Sequence, residues 1–254
     1  MNVELKTKKI KVKRCWYNPP VDSLINVKTA EASYLLGFLW ADGYLRPSYK
    51  SETSGMIGLE IITKDFLDIE NILLDVSNLW KINKNLSMTK TIGKDGVNRK
   101  PQAIVHLCNS LTYLYLKEMN YKNKKILSCD KILNTIPVEL QHYWWRGFFD
   151  GDGCIYFNHK QRTYQATISG HYEQNWDCYD KLLTDLEINH SLRRVVGKRG
   201  NYSQMRICSK SGCLKLMSYL YQGQEMGLKR KYIKFKTLYD YSINKDRILK
   251  DNGT

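Results

Sequence analysis

The chain has 254 residues, with 40 Lys and Arg against 25 Asp and Glu, for a formal net charge of +15. Its 43% hydrophobic content belongs to an ordinary globular protein, long enough for one large or two smaller cores. No apolar run reaches transmembrane length and the N-terminus MNVELKTKKIKVKRC lacks a signal peptide's apolar segment, so the positive field is expected to serve nucleic acid rather than a membrane. The expectation is a soluble, intracellular protein. The seven cysteines are scattered, with no CxxC pair, which argues against zinc and for reduced thiols.

Along the chain, residues 1–28 read as a basic arm for phosphate contact, carried by Lys6, Lys8, Lys9, Lys11, Lys13 and Arg14, or equally as a solvated, disordered tail. A first unit spans 29–126. Thr29 suits the N-cap of a helix running to Trp40. Strands are expected at Gly58–Thr63 and Leu86–Thr91. Between them lies a helix marked by Phe66, Ile69, Leu73, Val76 and Leu79 at helical spacing. A further strand covers Ala103–Cys108. After a linker at 127–139, Pro137 suits the start of a helix through Phe149, opening a second unit over 140–241. There Trp176, Tyr179, Leu183 and Leu186 mark the inner helix and Ser203–Cys208 the last strand. A tail of mixed charge occupies 242–254.

The two units are copies. LLGFLWADG (35–43) and WRGFFDGDG (145–153) share one pattern, and their acids Asp42 and Asp152 stand 110 residues apart (42 to 152). TIGKDG (91–96) matches VVGKRG (195–200), VHLC (105–108) matches MRIC (205–208), and NYKNK (120–124) matches GLKRK (227–231), in the same order. The fold class is α+β: two like units, each an antiparallel sheet with helices on one face. In the last strand of each unit, apolar residues alternate with more polar ones, leaving the other sheet face free. Thr63, Ser87, Thr89 and His106 in the first unit, and Gln165, Thr167, Ser169, Arg193, Gln204 and Arg206 in the second, are the candidates for DNA contact on that face. Gln and Arg can bond bidentately to adenine and guanine edges.

Gly37 and Ala41 are four apart, as are Gly147 and Gly151, so each pair lies on one helix face. Small residues there would let the two motif helices approach closely and join the units. Gly43 and Gly153 are expected to end the helices in the left-handed conformation. Asp42 and Asp152 would then meet at the base of the seam, beside the negative ends of two helix dipoles. Close carboxylates repel unless a cation lies between them, and Mg²⁺ suits carboxylates together with phosphate oxygens. Mn²⁺ is expected to substitute.

The doubled motif resembles that of the LAGLIDADG homing endonucleases in their single-chain, two-repeat form. The resemblance implies two pseudo-symmetric αββαββα units with curved antiparallel sheets, joined through the motif helices. It implies saddle-shaped sheets on double-stranded DNA, and Mg²⁺-dependent cleavage of both strands at a long, asymmetric target by a monomer. It implies that Asp42 and Asp152 bind the metals with help from the backbone carbonyls of Ala41 and Gly151. It further implies basic catalytic residues at Lys124 and Lys231. The earlier acid of the motif is Asp150 in the second copy but Trp40 in the first, so the halves are not equivalent. The rival readings are an RNA maturase bound to intron RNA, a non-cleaving DNA-binding regulator, and a structural module that leaves the charge unexplained.

Overall fold

The computed structural model describes residues 21–49, 51–84, 91–92, 98–99, 101–197, 200–223 and 225–251. The basic residues of the N-terminal arm, and Ser87 and Thr89, lie outside them. The described chain is already packed before Thr29, because Leu24 of a short helix α1 (Asp22–Ile25) is fully buried.

Helix α2 (Ala30–Asp42) starts where its cap is, with Thr29 Oγ1 accepting from Ala32 N at 3.2 Å. Every residue from Ala32 to Trp40 is buried, so the helix is apolar all round and central. It is followed by β1 (Gly43–Ser48), β2 (Ser51–Ile62), α3 (Thr63–Val76) and β3 (Lys81–Lys84). A two-residue pair follows, β4 (Thr91–Ile92) with β5 (Asn98–Arg99), then β6 (Gln102–Cys108) and α4 (Ser110–Glu118). The connecting segment carries a short α5 (Asp130–Leu133), whose Ile132 is fully buried.

The second unit repeats the order: α6 (Gln141–Asp152), β7 (Gly153–Asn158), β8 (Thr163–His171), α7 (Asp177–Asp185), β9 (Ser191–Val195), β10 (Tyr202–Ile207) and α8 (Lys210–Leu220). A last helix, α9 (Lys229–Asp251), runs without a break through the segment expected as a tail. Both sheets are antiparallel, in the orders β1-β2-β6-β3 and β7-β8-β10-β9. These are two αββαββα units of an α+β protein, as the sequence predicts.

Several boundaries differ from expectation for local reasons. Pro137 opens a single 3-10 turn (Val138–Leu140), and α6 proper begins at Gln141. Of the strand expected at Leu86–Thr91, residues 86–90 lie outside the described residues and Thr91 belongs to β4; the third strand of the first sheet is Lys81–Lys84. Its one inward apolar residue, Ile82, sits between Lys81 and Asn83, too short an alternation to stand out by periodicity. Thr63 is the first residue of α3, so it leaves the sheet face on which it was expected.

The motif glycines also differ. Gly43 (φ −73°) and Gly153 (φ −81°) are extended, not left-handed. What requires glycine is crowding: a Cβ on Gly43 would lie 2.5 Å from Leu39 O, and one on Gly153 2.4 Å from Phe149 O. The left-handed positions fall later in each copy, at Asn120 (φ 70°) and Gly227 (φ 84°), the first residues of the matched stretches NYKNK and GLKRK.

Candidate active site

The seam between α2 and α6 is a backbone contact. A Cβ on Gly37 would fall 1.8 Å from Trp144 O, and one on Gly147 2.0 Å from Tyr34 O. Lower in the seam a Cβ on Gly151 would lie 2.2 Å from Ala41 Cβ. Gly37, Ala41, Gly147 and Gly151 are therefore the helix interface, with one methyl in the space of two. A Cβ on Gly151 would also lie 3.2 Å from Asp42 Oδ2, so the Asp42 carboxylate rests against the backbone of the opposite motif.

The paired acids are placed at cost. Burial first, and then the neighbouring charge of Asp42, push the Asp152 carboxyl up to about 6 against the lowering effect of Lys124 and Lys231. Asp42 is open to solvent on one side, yet the mass of the seam on its other sides also raises it, against the opposing effect of the two lysines. Two carboxylates that destabilise each other's charge, with oxygen as the only donor type, suit a hard divalent cation that completes its shell with water or phosphate. Among the described residues no group of three or more His, Cys, Asp or Glu converges, so the protein's acidic contribution is the pair.

Lys124 and Lys231 turn inward. Lys124 Nζ donates to Leu39 O (2.9 Å), Ala41 O (2.7 Å) and Gly43 O (2.6 Å). Lys231, 3% exposed, donates to Phe149 O (2.6 Å), Asp150 O and Gly153 O (2.7 Å). An ammonium has three protons, and each is committed to a carbonyl at the end of a motif helix. In that position the two ammonium groups are C-terminal caps, which offset the negative helix end where each Asp stands. Burial lowers both ammonium groups to about 8, against the raising effect of nearby carboxylates. Lys231→Met, which strips three buried carbonyls of their donor, is expected to lower unfolding free energy by about 3 kcal/mol. The exposed Lys125→Met should stay within about 0.5 kcal/mol of the parent. Urea titration of both variants checks this.

The inequivalence of the halves has a structural basis. Asp150 is fully buried and accepts from Tyr34 OH (2.8 Å), Tyr221 OH (2.9 Å) and Leu228 N (2.9 Å). Arg146, also fully buried, donates through Nη2 to Met226 O and lies over the Tyr221 ring. At the corresponding place in the first half Trp40 meets Tyr121 edge-on at 5.1 Å and Trp144 at 5.9 Å. Asp150 is thus a structural acid. Across the halves, Arg230 forms a bidentate pair with Asp65 (2.9 and 2.8 Å), and Gln174 Nε2 donates to Lys124 O at 2.8 Å. No spacing in the sequence announces these ties.

On the second sheet's open face, register aligns Ser169, Gln204 and Arg193 in one row, and Cys154, Thr167, Arg206 and Ser191 in the next. Gln204 Nε2 donates to Ser169 Oγ at 3.0 Å. Thr167 is only 7% exposed and presents the least surface of that set. On the first sheet His106 aligns with Gly58, Tyr44 and Lys81, and Tyr44 lies across Gly58. Beside Asp152 opens a cleft of about 330 Å³ lined by Lys125, Ser169, His171 and Gln174 among others. That Lys125, His171 and Gln174 line one cleft is not legible in sequence, because the end of β8 and the turn after it meet a loop of the other unit only in the fold.

A doubled acid stands at the foot of a glycine-tight helix pair, between two polar sheet faces, and the chain shares this fold with solved LAGLIDADG homing endonucleases. Residues 139–220 match the LAGLIDADG-like domain family. The I-LtrWI LAGLIDADG homing endonuclease bound to target DNA shares the fold, with a TM-score of 0.52 at 14% identity over 85% of this chain and 92% of that one. I-DmoI in complex with DNA and calcium does so at 0.51 and 11%, over 82% and 97%. An uncharacterized protein of Methanocaldococcus jannaschii is 27% identical over 139 residues. That match takes in 54% of this chain and 46% of the relative, so the chain spans about half the relative's length. No helix among the described residues is long and apolar enough to cross a membrane.

Proposed function

We propose that the chain is a site-specific DNA endonuclease making a metal-dependent double-strand break with staggered ends at a long, asymmetric target, acting as a monomer. The observation that carries this reading is the Asp42 carboxylate lying against the backbone of the opposite motif, with Asp152 near enough for the charge of Asp42 to raise its carboxyl, at the base of the seam between the two open sheet faces. A pure binding protein gains nothing from two acids that disfavour each other's charge. Such a pair suits Mg²⁺, or Mn²⁺ in its place, and a bound divalent cation would supply water activation and charge stabilisation at the phosphodiester.

The chain's own residues do the rest. Asp42 and Asp152 hold negative charge where a cation and a scissile phosphate can share it. Lys124 and Lys231 keep the helix-end carbonyls neutralised and so fix the turns that carry the acids. The lysine and arginine surplus attracts the duplex over a longer range. The solved DNA complexes of I-LtrWI and I-DmoI, and the calcium in the latter, agree with this reading.

The test is selection from a randomised duplex library, with Ca²⁺ and with Mg²⁺, followed by sequencing of bound and cut products. Enriched sites cut only with Mg²⁺, with staggered ends, are expected. Enrichment without cutting would make the chain a binding protein.

A further inference from the structure

Arg206 stands apart from the other polar residues of the open sheet faces in the way it is held. With the Gln165 amide turned to satisfy its surroundings, Gln165 Oε1 accepts from Arg206 Nε and Nη2, both at 3.1 Å. Gln165 is the diagonal neighbour, two residues along β8 from Thr167, which faces Arg206 directly. The guanidinium therefore uses its Nε/Nη2 edge inside the protein. Its outer edge, Nη1 with the second Nη2 proton, keeps two parallel N–H groups.

The strand positions on this face carry no carboxylate: Cys154, Tyr156 and Asn158; Thr163, Gln165, Thr167, Ser169 and His171; Tyr202, Gln204 and Arg206; Ser191, Arg193 and Val195. A full positive charge is thus steadied by a neutral amide. An arginine kept for stability would take a carboxylate, as Arg230 does with Asp65. A planar pair of N–H donors that is fixed and unneutralised matches the O6 and N7 acceptors of guanine in the major groove. The amide also lowers the cost of ordering a long side chain on binding. In the first unit the corresponding residue is His106, and Met56 takes the place of Gln165, so the device exists in one half only.

We propose that Arg206, positioned by Gln165, reads a guanine and carries the strongest single base preference of the half-site bound by the second repeat. This rests on the DNA-binding reading above, though not on cleavage. The preference expected is about 10- to 100-fold for G over other bases at one position.

The experiment measures base preference at every target position, with Ca²⁺ present, for the full chain and for Arg206→Ala, Arg206→Gln and Gln165→Ala. Arg206→Ala should erase the G preference at one position and leave the others unchanged. Arg206→Gln should move that position toward A, a gain that a misfolded variant cannot produce. Gln165→Ala should weaken the same position alone. The assignment is overturned if Arg206→Ala weakens all sequences equally and flattens the salt dependence by about one charge, the mark of a phosphate contact. It is equally overturned if no position changes. Binding without cutting would sink the nuclease reading and leave Arg206 standing; absence of any enriched sequence would sink both.

Discussion

Asp152→Asn is expected to abolish cleavage of both strands while raising the melting temperature of the metal-free protein at neutral pH. Cleavage should fall at least about 10³-fold, because in the proposed reaction a divalent cation would lose one of the two carboxylates that hold it. Binding to the target in Ca²⁺ should change far less, since the sheet faces are untouched. The stability gain follows from the raised carboxyl. The folded chain holds the Asp152 proton to about pH 6, the unfolded chain to about 3.8. Ionisation therefore costs the fold nothing below about pH 4, and the penalty grows until the pH passes 6. Asn never ionises, so the variant should exceed the parent above pH 6 and lose its advantage near pH 4. A shift of roughly two units corresponds to about 3 kcal/mol at most, and solvent screening brings the expected gain to about 1–2 kcal/mol. Added Mg²⁺ should stabilise the parent and not the variant. Thermal melts at pH 4 and 7.5, beside a cleavage assay, check all three; undiminished cutting by Asp152→Asn would remove the shared-cation site.

The second large effect is steric. Alanine is a better helix former than glycine by about 1 kcal/mol, so on local grounds Gly37→Ala should stabilise α2. At this site the new methyl would lie 1.8 Å from Trp144 O, 2.7 Å from Trp144 C and 3.0 Å from Phe148 N, all backbone atoms that cannot rotate away. The helices must part along the seam, and a loss of about 3–5 kcal/mol is expected, above the usual cost of overpacking. Gly147→Ala should behave alike. Gly151→Ala meets a side chain instead, Ala41 Cβ at 2.2 Å, so its damage should be repaired by Ala41→Gly in the same chain. The exchange merely moves one methyl across the pseudo-dyad, and urea unfolding of both singles and the double would show strong non-additivity. Additive losses would mean that the two positions do not share one space.

What the sequence determined by itself is whatever is written in local spacing and repetition. Thr29 as a cap, apolar residues at helical period in α3, alternation in β6 and β10, and the copied LLGFLWADG and WRGFFDGDG are local facts. They led to two α+β units, a small-residue seam and a paired acid. Tertiary structure alone decided how long-range partners are shared. Lys124 and Lys231 read as catalytic cations because their charge and their repeat are visible in sequence, while the six carbonyls that bind them are 78 to 85 residues away. In sequence Asp150 is only an acid that the first copy lacks; its role appears once two tyrosines and a backbone N–H are found around it. Gly43 and Gly153 suggest a left-handed cap, because a glycine needed for clearance and one needed for positive φ are the same letter. Helices and strands are set by neighbours in the chain; the protonation of Asp152, the burial of Lys231 and the grip of Gln165 on Arg206 are set by neighbours in space.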